Sequence, residues 1–336
     1  MGASCGKSAG TLPEAGESHR ALIRLLERRH ALLAERLNGL MPELLAPPPK
    51  TAESEQLEAD RHAVHQFRTS LRRLRSMAEA FPNHWHWAGA SRLGRMARLA
   101  GAVRDLDVLL EELETCRTTN GTAMADAERS RLDRLLRTLG KRRRRARRRL
   151  ARHLQRPPAW WSRLLQSDTT PTMPGDLAPS VPLLQAALMA QMARIRLASG
   201  WGDGQRPAPG SPEELALHEL RKAFKRLRYQ LEMWEAVRPD LRDRLLRLKR
   251  VQDALGTLQD LVIWKELLEG SQGQRADPRP LASRCPTLIG LWQERLDLAW
   301  ADWCDQRHLW LETDSGFPEW WRWCLQNPGG VATLQP

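Results

Sequence analysis

The chain has 336 residues, 41% of them hydrophobic, and its 53 Lys and Arg outnumber 40 Asp and Glu to give a net charge of +13. That apolar content excludes a disordered chain and suits one large or two modest domains with proper cores. The basic excess favours a polyanionic partner, whether nucleic acid, polyphosphate or an acidic membrane.

The first 18 residues read as disordered, without the apolar stretch of a signal peptide. Met1-Gly2 is followed by Gly6 where myristoylation wants Ser or Thr. Helical periodicity then dominates, and no alternating strand of useful length appears. A first helix is expected from about His19 to Leu40, before the Pro47-Pro48-Pro49 break. Further helices are expected over Ser54–Phe81, ended by Pro82, then Ala90–Glu114, and Ala125–Gln155, ended by Pro157. Turn-forming residues thicken from Ser167 to Gly210, interrupted by one helix over Pro182–Ser199. Ser211-Pro212-Glu213-Glu214 carries the signs of a helix start: an N-cap, a proline at the first position and acids in the first turn. Helices over Ser211–Val237, Pro239–Glu269 and a Trp-rich Cys285–Glu312 complete the reading. Each half thus receives four helices in matching order. The expected fold is all-α, a duplicated bundle, with a first half over 19–166, a linker over 167–180, a second half over 181–312 and a Trp-rich tail over 313–336. No run of apolar residues is long enough to span a bilayer. Cys5, Cys116, Cys285, Cys304 and Cys324 are scattered and form no Cys-x-x-Cys pair, which fits a reducing, cytoplasmic setting better than a disulfide framework.

Two stretches 153 residues apart follow one template. On a helical projection His65, Arg68, Arg72 and Arg75 fall within an arc of about 80°, beside an apolar arc of Val64, Phe67, Leu71, Leu74, Met77 and Phe81. His218, Arg221, Lys225 and Arg228 repeat the basic arc, with Leu217, Leu220, Phe224, Leu227 and Leu231 behind them. Arg73 and Arg226 flank the stripes, and Tyr229 follows the second. An ordinary solvated helix mixes signs on its outer face, whereas these stripes hold almost no acid. Such rows suit an anion, because Arg presents a planar fork matched to phosphate oxygens and keeps its charge at physiological pH. The repeat extends into the next helices: Gly101, Arg104 and Asp105 are echoed at a spacing of 155 by Gly256, Gln259 and Asp260. A glycine inside a helix costs about 1 kcal/mol relative to Ala, so its recurrence predicts close approach of a neighbouring helix. Asp105 and Asp260, near bases, read as internal ion-pair partners.

These paired motifs resemble the CHAD family, the conserved-histidine α-helical domains. Its signature is a His-x-x-Arg-x-x-x-Arg/Lys-Arg/Lys-Leu-Arg helix occurring twice, each followed by a Leu-Gly-x-x-x-Asp-Leu helix. The resemblance spans about residues 19–312. It implies two four-helix bundles related by a pseudo-twofold, with the motif helices lining a shared basic groove or pore. It also implies binding of inorganic polyphosphate and association with polyphosphate granules. Some members are fused to a CYTH triphosphate-hydrolysing barrel. Here Glu53-Ser-Glu55 lacks that barrel's continuation, so a stand-alone, non-catalytic binding module is expected.

The expected polyphosphate ligands are His65, Arg68, Arg72, Arg73, Arg75, His218, Arg221, Lys225, Arg226, Arg228 and Tyr229. A secondary set is Arg61, Arg95, Arg104, Lys222, Lys249, Arg250, Lys141, Arg145 and Arg148. Thirteen Lys and Arg fall between Arg131 and Arg156, opposed only by Asp133. They wrap the whole circumference of one helix, so only some can reach a common ligand. RNA binding through that helix is the alternative, although the motif stripes offer no stacking aromatic beyond Tyr229. A metal-dependent polyphosphate-processing enzyme or accessory subunit is a further one. No cofactor or metal is expected: neither motif histidine has a carboxylate or second His at ligand spacing, and His84-x-His86 lacks further ligands. Trp292, Trp300, Trp303 and Trp310 follow helical spacing and read as core. Trp320, Trp321 and Trp323 fit either a bundle cap or a docking element.

Overall fold

A computed structural model describes residues 15–49, 55–80, 90–122, 124–156, 159–165, 181–232, 235, 241–270 and 281–326. Every regular element among them is helical, so the fold is all-α. The first half comprises α1 (Ala15–Leu45), α2 (Glu55–Ala80), α3 (Ala90–Asn120), α4 (Asp126–Leu154) and a short α5 (Ala159–Leu165). The second comprises α6 (Val181–Arg196), a single 3-10 turn (Ser199–Trp201), α7 (Pro212–Glu232), α8 (Leu241–Gly270), a short α9 (Leu281–Arg284), α10 (Pro286–Glu312) and α11 (Phe317–Gln326). The linker over 167–180, Cys5 and His84-x-His86 lie outside the described residues, as do 1–14 of the N-terminus.

The expected helices form, with several differences: α1 already begins at Ala15, inside the stretch read as disordered, α3 runs past Glu114 to Asn120, and α9 was not expected. α1 continues past Leu40 and through Pro42 to Leu45, because a proline near a helix end forfeits only one ladder bond. The two-turn α5 was too short to leave a periodic signal. α11 forms in the tail, where Phe317, Trp320 and Cys324 share one buried face. The Ser211 cap is as expected: its Oγ accepts the Glu214 N–H at 3.2 Å while the Glu214 carboxylate accepts the Gly210 N–H at 2.7 Å.

Within the first half α2 lies against α1 and α3, and α3 against α4; within the second α7 lies against α6 and α8, and α8 against α10. The halves join where α2 meets α7 and α3 meets α8. A second seam runs to α10, whose Leu288 N–H, unpaired within the helix, is accepted by the buried Glu128 carboxylate of α4 at 3.1 Å.

The two interiors differ in chemistry. In the first, Arg143 and Arg147 of the Arg-rich α4 turn inward beside Asp60 and Asp107, all four at most 3% exposed. Arg143 pairs with Asp60 at 2.6 Å and Asp107 at 2.7 Å, and Arg147 with Asp60 at 2.7 Å. Arg147 also donates to the Leu44 and Glu43 carbonyls at the end of α1. Burial alone would depress the Arg143 guanidinium, but Asp107 and then Asp60 override it and hold it above its ordinary value. In the second half the core is aromatic. Trp201 stacks on Trp303 at 5.6 Å, Phe224 meets Trp310 edge-on at 5.1 Å, and Trp310 stacks on Trp320 of α11 at 5.3 Å. The 3-10 turn can deliver Trp201 because position 200 is glycine: a Cβ there would collide with the Ala216 carbonyl and the Leu220 Cβ. Trp303 and Trp310 are therefore core as expected, while Trp292 and Trp300 are only partly buried. α11 lies against α6, so the tail tryptophans cap the second bundle. Trp320 is buried under the Arg244 guanidinium, and Trp321 is left exposed. Among the described residues no helix is long and apolar enough to cross a membrane.

Candidate functional site

Burying the apolar faces of α2 and α7 turns their basic stripes toward one another along the seam. The structure brings Arg68, Arg72, Arg221 and Lys225 together with Asp105 and Asp260. The arrangement repeats in both halves. Arg68 Nη2 lies 3.7 Å from Asp105 Oδ1, and Arg221 Nη2 lies 3.8 Å from Asp260 Oδ1. These are ion pairs at arm's length, as the sequence suggested for the two aspartates.

The recurrent glycines have a different role from the one their spacing suggested. A Cβ at Gly101 would lie 3.4 Å from Arg68 Nε, and one at Gly256 3.9 Å from Arg221 Nη2. What comes close at each glycine is an arginine side chain laid across the helix, rather than a neighbouring helix backbone. Gly94 serves Arg75 in the same way, at 3.7 Å.

The cluster is under electrostatic tension. Burial and then the neighbouring Arg72 push the Arg68 guanidinium down to about 10. Burial followed by Arg221, Arg72 and Arg68 pushes the Lys225 ammonium down to about 5. Arg221 is lowered by burial, with Asp260 opposing. Burial, opposed by Arg68 and reinforced by Asp260, leaves the Asp105 carboxyl above its usual range. Neither Arg72 nor Lys225 has an ion pair among the described residues. Arg68 Nε and Arg221 Nε are buried without a hydrogen-bond partner there. A buried donor left unmade costs about 1–3 kcal/mol.

Both motif histidines sit at the cluster's edge and differ in their neighbours. His65 is lowered by burial and then by Arg104, Arg68, His62 and Arg72. His218 is lowered by burial and Lys222, and its Nδ1 donates to Gln259 Oε1, which leaves Nε2 as the acceptor of a neutral ring. No group of His, Cys, Asp or Glu able to hold a metal ion occurs among the described residues.

The outer members of the stripes go elsewhere. Glu79 of α2 holds Arg75 of its own helix at 2.9 Å and Arg226 of α7 at 3.6 Å. Glu232 of α7 holds Arg228 of its own helix at 3.1 Å and Arg73 of α2 at 3.2 Å. Each helix thus lends the other an acid, a reciprocal clasp built from positions that are 153 apart throughout. The sequence signal was present, an acid four residues after the last arginine of each stripe, but it lay just beyond the motif. Tyr229 is buried with Arg228 over its ring at 5.2 Å.

Of the secondary set, Arg61 is shared among Glu58, Asp107 and Glu114, Lys222 pairs with Glu219 at 2.7 Å, and Lys249 with Asp253 at 3.3 Å. Arg104 is half-buried beside His65. Arg95, Arg250, Lys141, Arg145 and Arg148 are exposed. The Arg-rich helix is therefore divided, with Arg143 and Arg147 committed to the core and Lys141, Arg145, Arg148 and Arg149 in solvent.

Comparison with known proteins agrees with this architecture. PptA from Streptomyces chartreusis is similar in structure, with a TM-score of 0.57 and 14% sequence identity, over 83% of this chain and 97% of that one. At that identity the likeness shows a shared fold. No curated protein matches the sequence. The CHAD domain profile matches residues 49–269, from just before α2 to the end of α8, and so takes in both histidine-led helices and both glycine-bearing helices. On that match the chain belongs to the CHAD domain family.

Proposed function

We propose that this protein binds inorganic polyphosphate without processing it, in the cytoplasm, and that it can ride on polyphosphate granules. The reading is supported most directly by the matched pair Arg68 and Arg221, whose buried Nε donors lack protein acceptors among the described residues. Beside them stand Arg72, crowded against Arg68, and Lys225, whose ammonium is pushed down to about 5 by burial and by Arg221, Arg72 and Arg68, so that it takes up its proton as a phosphate arrives. Crowded like charges destabilise the empty protein, and phosphate oxygens entering between the rows relieve that cost while satisfying the stranded donors. A phosphate chain has no base to read, so closely spaced donors along a groove between α2 and α7, related by a pseudo-twofold, suffice for it. Asp105 and Asp260 hold the guanidiniums over their glycines and keep the rows aimed inward. His65 and His218 extend the row once a phosphate favours their protonated form.

The test is titration of long-chain polyphosphate into the native protein and into an Arg68→Ala, Arg72→Ala, Arg221→Ala, Lys225→Ala variant. With charge-assisted hydrogen bonds contributing about 1.5–3 kcal/mol each, affinity is expected to drop at least about a hundredfold. Equal affinity of the two proteins would remove the site. By analogy with single-stranded nucleic acids, engagement of about six phosphates gives a log–log salt slope near about −4. Displacement of polyphosphate by RNA of matched charge would favour a nucleic-acid partner instead. Phosphate release with a divalent metal, lost on substitution of His65 and His218, would overturn the non-catalytic reading.

A further inference from the structure

A second recess opens beside the anion rows in the second half. Its volume is about 340 Å³, within the range of small-molecule sites, and it lies between α7, α8 and α10. One end is closed by the segment Arg206–Gly210. Its walls are apolar: Leu217 of α7, Leu258 and Val262 of α8, and Trp292, Leu296 and Trp300 of α10, the last three spaced four residues apart on one helical face. Its cations are Arg221, Lys265 and Arg206, beside the neutral His218, Gln259 and Gln293. Arg206 is occupied by Asp297, and the single acid, Glu214, is occupied by the Gly210 N–H. Lys265 has no ion pair among the described residues, and Arg221 Nε is one of the stranded donors.

The matching positions of the first half carry different chemistry. Val103 stands for Leu258 and is fully buried, and Asp107 stands for Val262 and is tied to Arg143 of α4 at 2.7 Å. In the second half Val262 can make no such tie, and Trp292 and Trp300 of α10, each partly exposed, line the recess. The recess thus lies where Val262 of the second half replaces the aspartate that the first half commits to its ionic core.

Polyphosphate cannot use such a recess, because it has no apolar surface to bury against leucine and indole. A purely apolar molecule would leave Lys265 and Arg221 unanswered. We propose that this recess binds an aromatic phosphate: a flat apolar body against Trp292 and Trp300, with its phosphate at Lys265, His218 and Arg221. Burial of the ring supplies the hydrophobic contribution, roughly 25 cal/mol per Å², and the cations fix its orientation. The site shares His218 and Arg221 with the polyphosphate rows and rests on that reading only there. Occupied, it places a second anion at one end of those rows.

The test uses 2-naphthyl phosphate as probe, with inorganic phosphate, 2-naphthol and ATP in parallel, by calorimetry on the full chain. The aromatic phosphate is expected to bind at least about tenfold tighter than either inorganic phosphate or naphthol. ATP in place of the naphthyl compound distinguishes a nucleotide from a simpler aryl phosphate as the kind of body preferred. Trp300→Leu and Lys265→Ala are expected each to weaken naphthyl phosphate by about tenfold while leaving polyphosphate affinity and melting temperature unchanged. Lys265→Ala, at a partly exposed position, guards against a Trp300 variant that fails to fold. Binding of the probe no tighter than inorganic phosphate, or indifferent to both substitutions, would overturn the proposal and leave the polyphosphate rows untouched. Binding of the probe without any binding of polyphosphate would sustain the recess and sink the rows.

Discussion

The two halves hold the same basic helix on unlike cores. In the first, α2 is fastened through a buried cluster in which Arg143 and Arg147 reach Asp60 and Asp107. In the second, α7 is fastened through Phe224 into stacked and edge-on tryptophans. Nothing about a shared interior requires Arg68, Arg72 and Asp105 to be matched by Arg221, Lys225 and Asp260. The correspondence lies on the surfaces that face the seam, while the chemistry behind them has diverged. Interior requirements alone therefore do not explain the basic rows, whereas the common ligand proposed above would.

The largest effects should come from attacking the cores. Arg147→Met leaves Asp60 buried with only Arg143 for company and abandons two carbonyl acceptors. Breaking a buried pair from one side costs about 3–5 kcal/mol. Trp310→Ala opens a void among Phe224, Phe317 and Trp320 and should cost a similar amount, about 3–5 kcal/mol. The two differ in how they can be repaired. Replacing Arg143, Arg147, Asp60 and Asp107 together by apolar residues of similar volume should restore most of the first loss, because the desolvation cost of all four charges disappears with them. Refilling the Trp310 site with anything smaller than an aromatic ring should not restore the second. Thermal denaturation followed by circular dichroism reads both. If the all-apolar variant melts lower than Arg147→Met, the ionic cluster is a net source of stability.

What the sequence disclosed follows the same division. The helices and the facing rows were legible because each rests on a period: 3.6 residues for the apolar faces of α2 and α7, and a 153-residue echo for the cations. The inward turn of Arg143 and Arg147 was not, since a run of arginines on every side of a helix carries no periodic signal, and their acids lie on α2 and α3, far off in sequence. The clasp of Glu79 and Glu232 was visible only to a reader who carried the 153-residue echo past the end of the motif. Helix α11 escaped because ten residues are too few for local preference to hold a helix, and its stability comes from docking its apolar face on α6.

An intermediate effect belongs to the seam itself, where the unlike cores should cease to matter. Lys225, crowded by Arg68, Arg72 and Arg221 with only Asp260 in relief, titrates near about 5 in the empty protein. A bound phosphate favours its charged form and raises that value, so binding takes up a proton at neutral pH. Affinity for polyphosphate must then rise as pH falls, by up to about tenfold per pH unit between pH 9 and 7, where the histidines stay largely neutral. The trend levels off once pH drops below the empty-state value. Lys225→Met should flatten the profile over the same interval. Arg72→Met, at the counterpart position in the first half, should weaken binding and leave the slope in place. A slope that survives Lys225→Met would assign the proton elsewhere.

The smallest effect tests whether the halves are equivalent at their clasp. Arg73 with Glu232 and Arg226 with Glu79 are partly exposed pairs, so Glu79→Gln or Glu232→Gln should cost at most about 1 kcal/mol of stability. Each substitution also releases two arginines toward the seam and removes a negative charge from its end, so polyphosphate affinity should rise by about two- to fivefold. A fall instead would mean that the carboxylates hold those arginines in a receptive geometry rather than competing for them. The two variants should match within error, because each glutamate holds one arginine of its own helix and one of the other. A consistent difference between Glu79→Gln and Glu232→Gln would show that the ionic core behind α2 and the aromatic core behind α7 are felt at the binding face after all.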